Sequence, residues 1–121
     1  MNLIADEDDM LNEMARSLLL EQLVWIGDQD DWNCGCLLKP GFAHSAIPLQ
    51  RRAVMMLLQR ALGAGARIET RSVEAFLSAF SEAGPIGGYT ANVQGDLALS
   101  ANKKGLRIET MSAYRARRKK N

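Results

Sequence analysis

Ile47-Pro48-Leu49-Gln50-Arg51-Arg52-Ala53-Val54-Met55-Met56-Leu57-Leu58-Gln59-Arg60-Ala61-Leu62 is the stretch whose reading decides the fold. On a helical wheel of about 3.6 residues per turn its apolar residues cover most of the circumference, and polar groups gather where Arg52, Gln59 and Arg60 fall near one another. Such a helix belongs in a core. Pro48 suits the first turn, where its missing N–H leaves no bond unmade, and Gly63 and Gly65 supply the stop. The helix is therefore expected from Pro48 to Leu62.

The flanks repeat the amphipathic pattern. Between Asp6 and about Val24, Met10, Leu11, Met14, Ala15, Leu18 and Leu19 recur at helical spacing, and the acidic run Asp6-Glu7-Asp8-Asp9 lies at the positive end of that helix's dipole. Gly27-Asp28-Gln29-Asp30-Asp31 ends it in a loop. Trp32 to Leu38 then reads as a short strand in which Cys34 and Cys36 face the same side. Lys39-Pro40-Gly41 turns the chain, Phe42 is available as an apolar plug, and Ser45 is placed to cap the central helix.

Beyond the central helix, Val73, Phe76, Leu77 and Phe80 mark a second helix, capped by Thr70 or Ser72 and ended by Gly84 and Pro85. From Tyr89 the period changes to two. Tyr89 to Val93, Leu97 with Leu99, and Leu106 with Ile108 form three strands, turned at Gln94-Gly95 and at Asn102-Lys103-Lys104-Gly105. The expected fold is α+β, amphipathic helices packed on a small antiparallel β-meander, in a single domain over residues 1–121 with a basic tail at 111–121.

At 121 residues the chain suits one domain of the size that buries a real core, about 100–150 residues. Its 47% hydrophobic and 24% charged residues are those of an ordinary globular protein, and no apolar run approaches the ~20 residues that span a bilayer. The acidic N-terminus is no signal peptide, so a cytoplasmic protein without a membrane partner is expected. The net charge of +1 hides an asymmetry: up to Asp31 there are nine acidic residues and one basic, and after it five acidic and fourteen basic. A polarised chain of this kind presents one side to a polyanion.

Chemistry-bearing constellations are few. Cys34, Cys36 and His44 are weak candidates for three zinc ligands, without an obvious fourth, and the Cys-Gly-Cys spacing is no familiar finger; buried reduced thiols are the expected alternative. Paired acids, a nucleophilic triad and a phosphate loop are not evident. Gly63-Ala64-Gly65 follows a helix and has no lysine arranged around a phosphate.

Pro48 with Gln50-Arg51-Arg52, the helix around Val73-Glu74 and the glycine turn leading to Leu106 together resemble the C-terminal substrate-recognition region of tRNA(Ile)-lysidine synthetases. The resemblance covers about residues 6 to 110 and corresponds to the first C-terminal, substrate-binding domain. It departs from the family at the Gln94-Gly95 hairpin, which lacks the family's preceding proline, and at Ser100, where an arginine is usual. The resemblance implies a part in ligating lysine to the wobble cytidine of tRNA(Ile) with ATP. ATP and Mg belong to the family's catalytic PP-loop domain, whose Ser-Gly-Gly-x-Asp-Ser loop does not occur in this sequence. This chain is accordingly expected to hold no cofactor, to position tRNA and not to catalyse alone, with tRNA(Ile) and a PP-loop domain as partners.

Candidate RNA contacts are Arg52 and Arg60 on the central helix, Lys103 and Lys104 in the last hairpin turn, and Arg115, Arg117, Arg118, Lys119 and Lys120 after Tyr114. The bland alternative for the last group is a solvated chain end. Arg51 reads as structural. A different class of function, a small helical interaction module that homodimerises through its first helix, stays open beside the RNA reading.

Overall fold

The computed structural model describes residues 3 to 119, with side chains from Asp9 onward; Lys120 lies outside the described residues. The described residues fold as α+β. Helix α1 (Leu3–Gln22) runs directly into strand β1 (Leu23–Trp25), and β2 (Cys36–Leu38), a 3-10 turn (Pro40–His44) and helix α2 (Ile47–Leu62) follow. Next come α3 (Thr70–Ser78), a two-stranded hairpin of β3 (Phe80–Ser81) and β4 (Gly84–Pro85), the strands β5 (Thr90–Val93), β6 (Leu97–Asn102) and β7 (Gly105–Thr110), and helix α4 (Met111–Lys119). The main sheet has the order β1-β2-β7-β6-β5 and is antiparallel throughout.

The expected meander is present as β5, β6 and β7, but the sheet is larger than anticipated. Two short strands from the first third of the chain extend it, with Leu38 opposite Leu106 and Cys36 opposite Ile108. Side chains alternate between its faces. Leu97, Leu99, Ala101, Leu106 and Ile108 join Cys36 and Leu38 on the inner face, where Ala15 and Leu18 of α1, Ala53, Val54, Leu57 and Leu58 of α2, and Val73 and Phe76 of α3 cover them. Ala98, Ser100, Arg107 and Glu109 occupy the other face.

Helix α2 buries one stripe rather than its whole circumference: Gln50, Ala53, Val54, Leu57 and Leu58 are inside, whereas Ile47 and Met55 are exposed. Its first turn is stabilised in an unforeseen way. Ser45 is not the cap; Ala46 holds that position without a side-chain bond. Instead buried Gln50 reaches back, its Nε2 donating to the carbonyls of Ser45 at 2.7 Å and Ala43 at 3.3 Å. That clamp fixes the 3-10 turn that carries Phe42, which is fully buried and meets the Phe80 ring at a tilt of 48°, centroids 5.4 Å apart.

Neither Thr70 nor Ser72 caps α3, since Glu69 is at the N-cap and makes no side-chain bond. Ser72 is buried and its hydroxyl accepts the Gln94 N–H at 3.1 Å, tying α3 to the β5–β6 turn. The helix stops at Ser78, ahead of Gly84 and Pro85, because Phe80 and Ser81 pair with Pro85 and Gly84 in the small hairpin. The strand expected from Trp32 is shorter too. Asp31 Oδ1 accepts the N–H groups of Asn33 and Cys34, which curls that segment into a turn and leaves only Cys36–Leu38 extended.

A plug held this firmly has a large measurable effect. Phe42→Ala is expected to lower stability by about 3–5 kcal/mol in urea unfolding, through lost burial and a residual cavity. Leu20→Ala, at a side chain 85% exposed, is expected to change it by no more than about 0.5 kcal/mol.

Candidate nucleic-acid interface

The basic C-terminal segment is a helix. Nothing in its nine residues Met111–Lys119 alternates or repeats at a clear apolar period, but Ala, Arg, Met and Lys are strong helix formers and cations at a helix C-terminus oppose the dipole favourably. Thr110 begins it: the Thr110 hydroxyl accepts the Ala113 N–H at 3.2 Å. Met111 N–H donates to the Asp96 carbonyl at 2.8 Å, which ties the helix start to the β5–β6 turn.

No residue of α4 is fully buried, and besides the half-buried Met111, Ala113 and Tyr114 an ion pair holds it to the sheet. Glu109, 1% exposed on the outer sheet face, receives Arg117 in a two-pronged pair, Nη2 to Oε2 at 2.7 Å and Nε to Oε1 at 3.3 Å. Arg107 Nε lies 3.4 Å from the same Oε2, and Arg107 Nη2 donates to the Cys34 carbonyl at 3.4 Å. The carboxylate keeps the Arg117 guanidinium firmly protonated, mainly by hydrogen bonding. A buried carboxylate needs such partners, and two guanidiniums leave the cluster with an excess positive charge.

Around that anchor the exposed cations collect. Arg117 and Arg118 lie 5.7 Å and 5.5 Å from the Tyr114 ring, within cation–π range, and Arg115 and Lys119 are exposed beside them. Tyr114 and Met111 wall a cavity of about 220 Å³ against Thr90, Asn92 and Ala98. An aromatic ring framed by guanidiniums next to a small, mostly apolar cleft can stack a base and neutralise its phosphates.

The other candidates are not part of this cluster. Lys103 and Lys104 are exposed at the opposite end of the β6–β7 hairpin from α4, because Asn102 pairs with Gly105 there while Leu97 pairs with Thr110 at the α4 end. Arg60 is committed elsewhere: its Nε and Nη2 donate to the Asp30 carboxylate at 2.5 Å and 2.9 Å, and its head lies 5.3 Å from the Trp25 ring. Those bonds hold the Asp30 carboxyl below its ordinary value. Arg52 is half-buried and lines a depression between α1 and α2 with Arg16. Arg51 pairs with Glu74 of α3, a structural use.

The two cysteines do not face the same side. Cys36 is buried in β2, and burial pushes its thiol up to about 12, whereas Cys34 is exposed in the Asp31 turn. Among the described residues no group of three or more His, Cys, Asp or Glu side chains is placed to hold a metal ion, so Cys34, Cys36 and His44 do not converge. Sequence reasoning missed Glu109 and Arg107, and the alternation around Leu106 and Ile108 was the available signal, since it sends both charges to the face opposite the core.

Comparison of the chain with family models, with curated proteins and with solved structures gives no match. No helix among the described residues is long and apolar enough to cross a membrane.

Two outcomes are expected of this geometry. Glu109→Gln removes the charge that anchors α4, and amide exchange across α4 is expected to quicken about ten- to a hundredfold, since a bond to a charged group contributes about 1.5–3 kcal/mol; unchanged exchange counts against the anchor. A maleimide is expected to label only Cys34 in the native protein. Asp31 accepts a hydrogen bond from the Cys34 thiol and repels its thiolate, raising its pKa, so Asp31→Asn lowers that pKa and speeds labelling at pH 8.

Proposed function

We propose that this chain is an RNA-binding module, similar in role to the substrate-recognition region of tRNA(Ile)-lysidine synthetases, that holds tRNA(Ile) for a catalytic PP-loop domain. The observation that carries the reading is the α4 cluster: Tyr114 framed by Arg117 and Arg118, with Arg115 and Lys119 exposed and Arg107 beneath. The sequence resemblance around Pro48, Gln50, Arg51 and Arg52 supports it independently.

Such a surface reads phosphate and exposed base faces rather than base edges, so affinity follows backbone shape and salt more than anticodon sequence. Arg117 has a double part, anchoring α4 to Glu109 and bordering Tyr114. Among the described residues of α4, Arg115, Arg118 and Lys119 are the cations left to meet phosphate. Lysine transfer itself falls to the partner domain with its ATP and Mg, and the purified chain is expected to form no AMP from ATP in the presence of tRNA and lysine.

Filter binding of tRNA(Ile) over a range of salt tests the proposal. Each phosphate contact contributes about 0.7–0.9 to the logarithmic salt slope, so replacing Arg115, Arg118 and Lys119 together with glutamine is expected to lower it by about two to three. Tyr114→Ala is expected to weaken single-stranded contacts by about 1–3 kcal/mol with little change of slope. An unchanged slope in the triple variant, or no binding even at low salt, would sink the reading.

A further inference from the structure

We propose that the cleft between α4 and the outer strands seats one unpaired base of an RNA strand, adenine before the others, on the Tyr114 ring and against the Asn92 amide. The proposal rests on the RNA reading of α4 and adds to it the one position at which a base is recognised.

The sheet register creates the cleft. Asn92, Ala98 and Glu109 lie in one row across β5, β6 and β7, so their side chains share the outer face. Glu109 meets Arg117 of α4 through two long side chains, whereas Ala98 beside it in the row brings only a methyl group. The hollow left over Ala98 is the cleft of about 220 Å³, with Met111 and Tyr114 as one wall and Thr90 and Asn92 as the other. That is less than the ~300–1,000 Å³ of pockets that enclose a whole small ligand. It suits a flat group entering from a longer chain, and β5 is the edge of the sheet, with no further strand beside it to obstruct that chain.

The lining selects the group. It is mostly apolar and includes an aromatic ring, on which a base stacks. Asn92 and Thr90 are exposed, and among the described residues neither side chain has a hydrogen-bond partner. An amide offers a donor beside an acceptor, the pattern that pairs two-pronged with N6 and N7 of adenine. Thr90 stands two residues along the same face, about 6–7 Å away, where its hydroxyl can meet a ribose 2′-OH. Every charged residue of α4 is basic, so the phosphates flanking the seated nucleotide find Arg115, Arg118 and Lys119. A paired stem cannot fill the cleft, because its bases stay stacked within the helix. The seated base comes from a loop or a strand end.

Fluorescence anisotropy of the whole chain with labelled oligo(A), oligo(U) and their duplex, each of about eight nucleotides, tests this, with AMP as competitor. Oligo(A) is expected to bind about fivefold or more tighter than oligo(U). AMP is expected to compete at least about a hundredfold less well than unlabelled oligo(A), since it brings a single phosphate to the cations. Asn92→Ala, at an exposed side chain, is expected to remove the preference for oligo(A) while leaving duplex affinity, salt slope and circular dichroism unchanged. Ala98→Leu fills the cleft without altering charge and is expected to act the same way. Equal binding of oligo(A) and oligo(U), an Asn92→Ala variant that weakens the duplex as much as oligo(A), or AMP competing as well as oligo(A) overturns the proposal. Any of these with a salt slope still set by Arg115, Arg118 and Lys119 leaves the RNA reading standing. Absence of salt-dependent binding to all three RNAs sinks both.

Discussion

The pairing of β2 with β7 is the contact on which the rest of the molecule depends. It joins residues some seventy positions apart through only three residue pairs, Cys36 with Ile108, Leu37 with Arg107 and Leu38 with Leu106. Glycine stands at both ends of it. At Gly35, where φ is 85°, a Cβ would come within 2.6 Å of the Ile108 carbonyl oxygen, and at Gly105, where φ is 140°, one would collide with the Leu38 carbonyl. Both positions favour glycine by conformation as well as by space. Without them β2 and β1 could not close on the hairpin, and α1, which leads straight into β1, would lose its place over the core.

That closure also decides where charge is found. Once β7 is central in the sheet, Leu106 and Ile108 face the helices, so Arg107 and Glu109 must face away. An acid buried there requires a cation, and Arg117 is eight residues further along the chain. The sheet register thereby dictates that the last helix folds back across the outer face. Its own apolar content adds only the half-buried Met111, Ala113 and Tyr114, as no residue of α4 is fully buried.

How legible this was depended on the range of the interaction. Helix α2, the Val73-Phe76 helix and the three-stranded meander rest on local periodicity and all appear, although the Val73-Phe76 helix ends early, at Ser78, with Phe80 in a strand. Strand β1 was illegible because Leu23-Val24-Trp25 continues the helical run without a break, and only pairing with Leu37 and Cys36 makes it extended. The Trp32-Leu38 strand was read too long, since a carboxylate accepting two backbone N–H groups outweighs a weak extended preference. Ser45, Thr70 and Ser72 looked like caps, yet each position was decided by a partner distant in sequence or by the backbone alone.

The candidate site shows the same division. The cations at Arg115 to Lys119 were legible as composition, but their arrangement was not, because it depends on Glu109, whose burial is a property of the sheet register. Composition likewise grouped Arg60, Lys103 and Lys104 with them, and geometry separates all three: one is spent on Asp30 and the others stand at the far end of the β6–β7 hairpin. The Gln50-Arg51-Arg52 motif shows why charge in a sequence does not map directly onto a binding face. Gln50 clamps the Phe42 turn, Arg51 bridges to α3 through Glu74, and Arg52 lines the α1–α2 trough. A motif that looks like a cationic signature is therefore, in its first two members, the fastening of one helix to its neighbours, and the polarity of the chain is expressed instead at its two ends, on α1 and on α4.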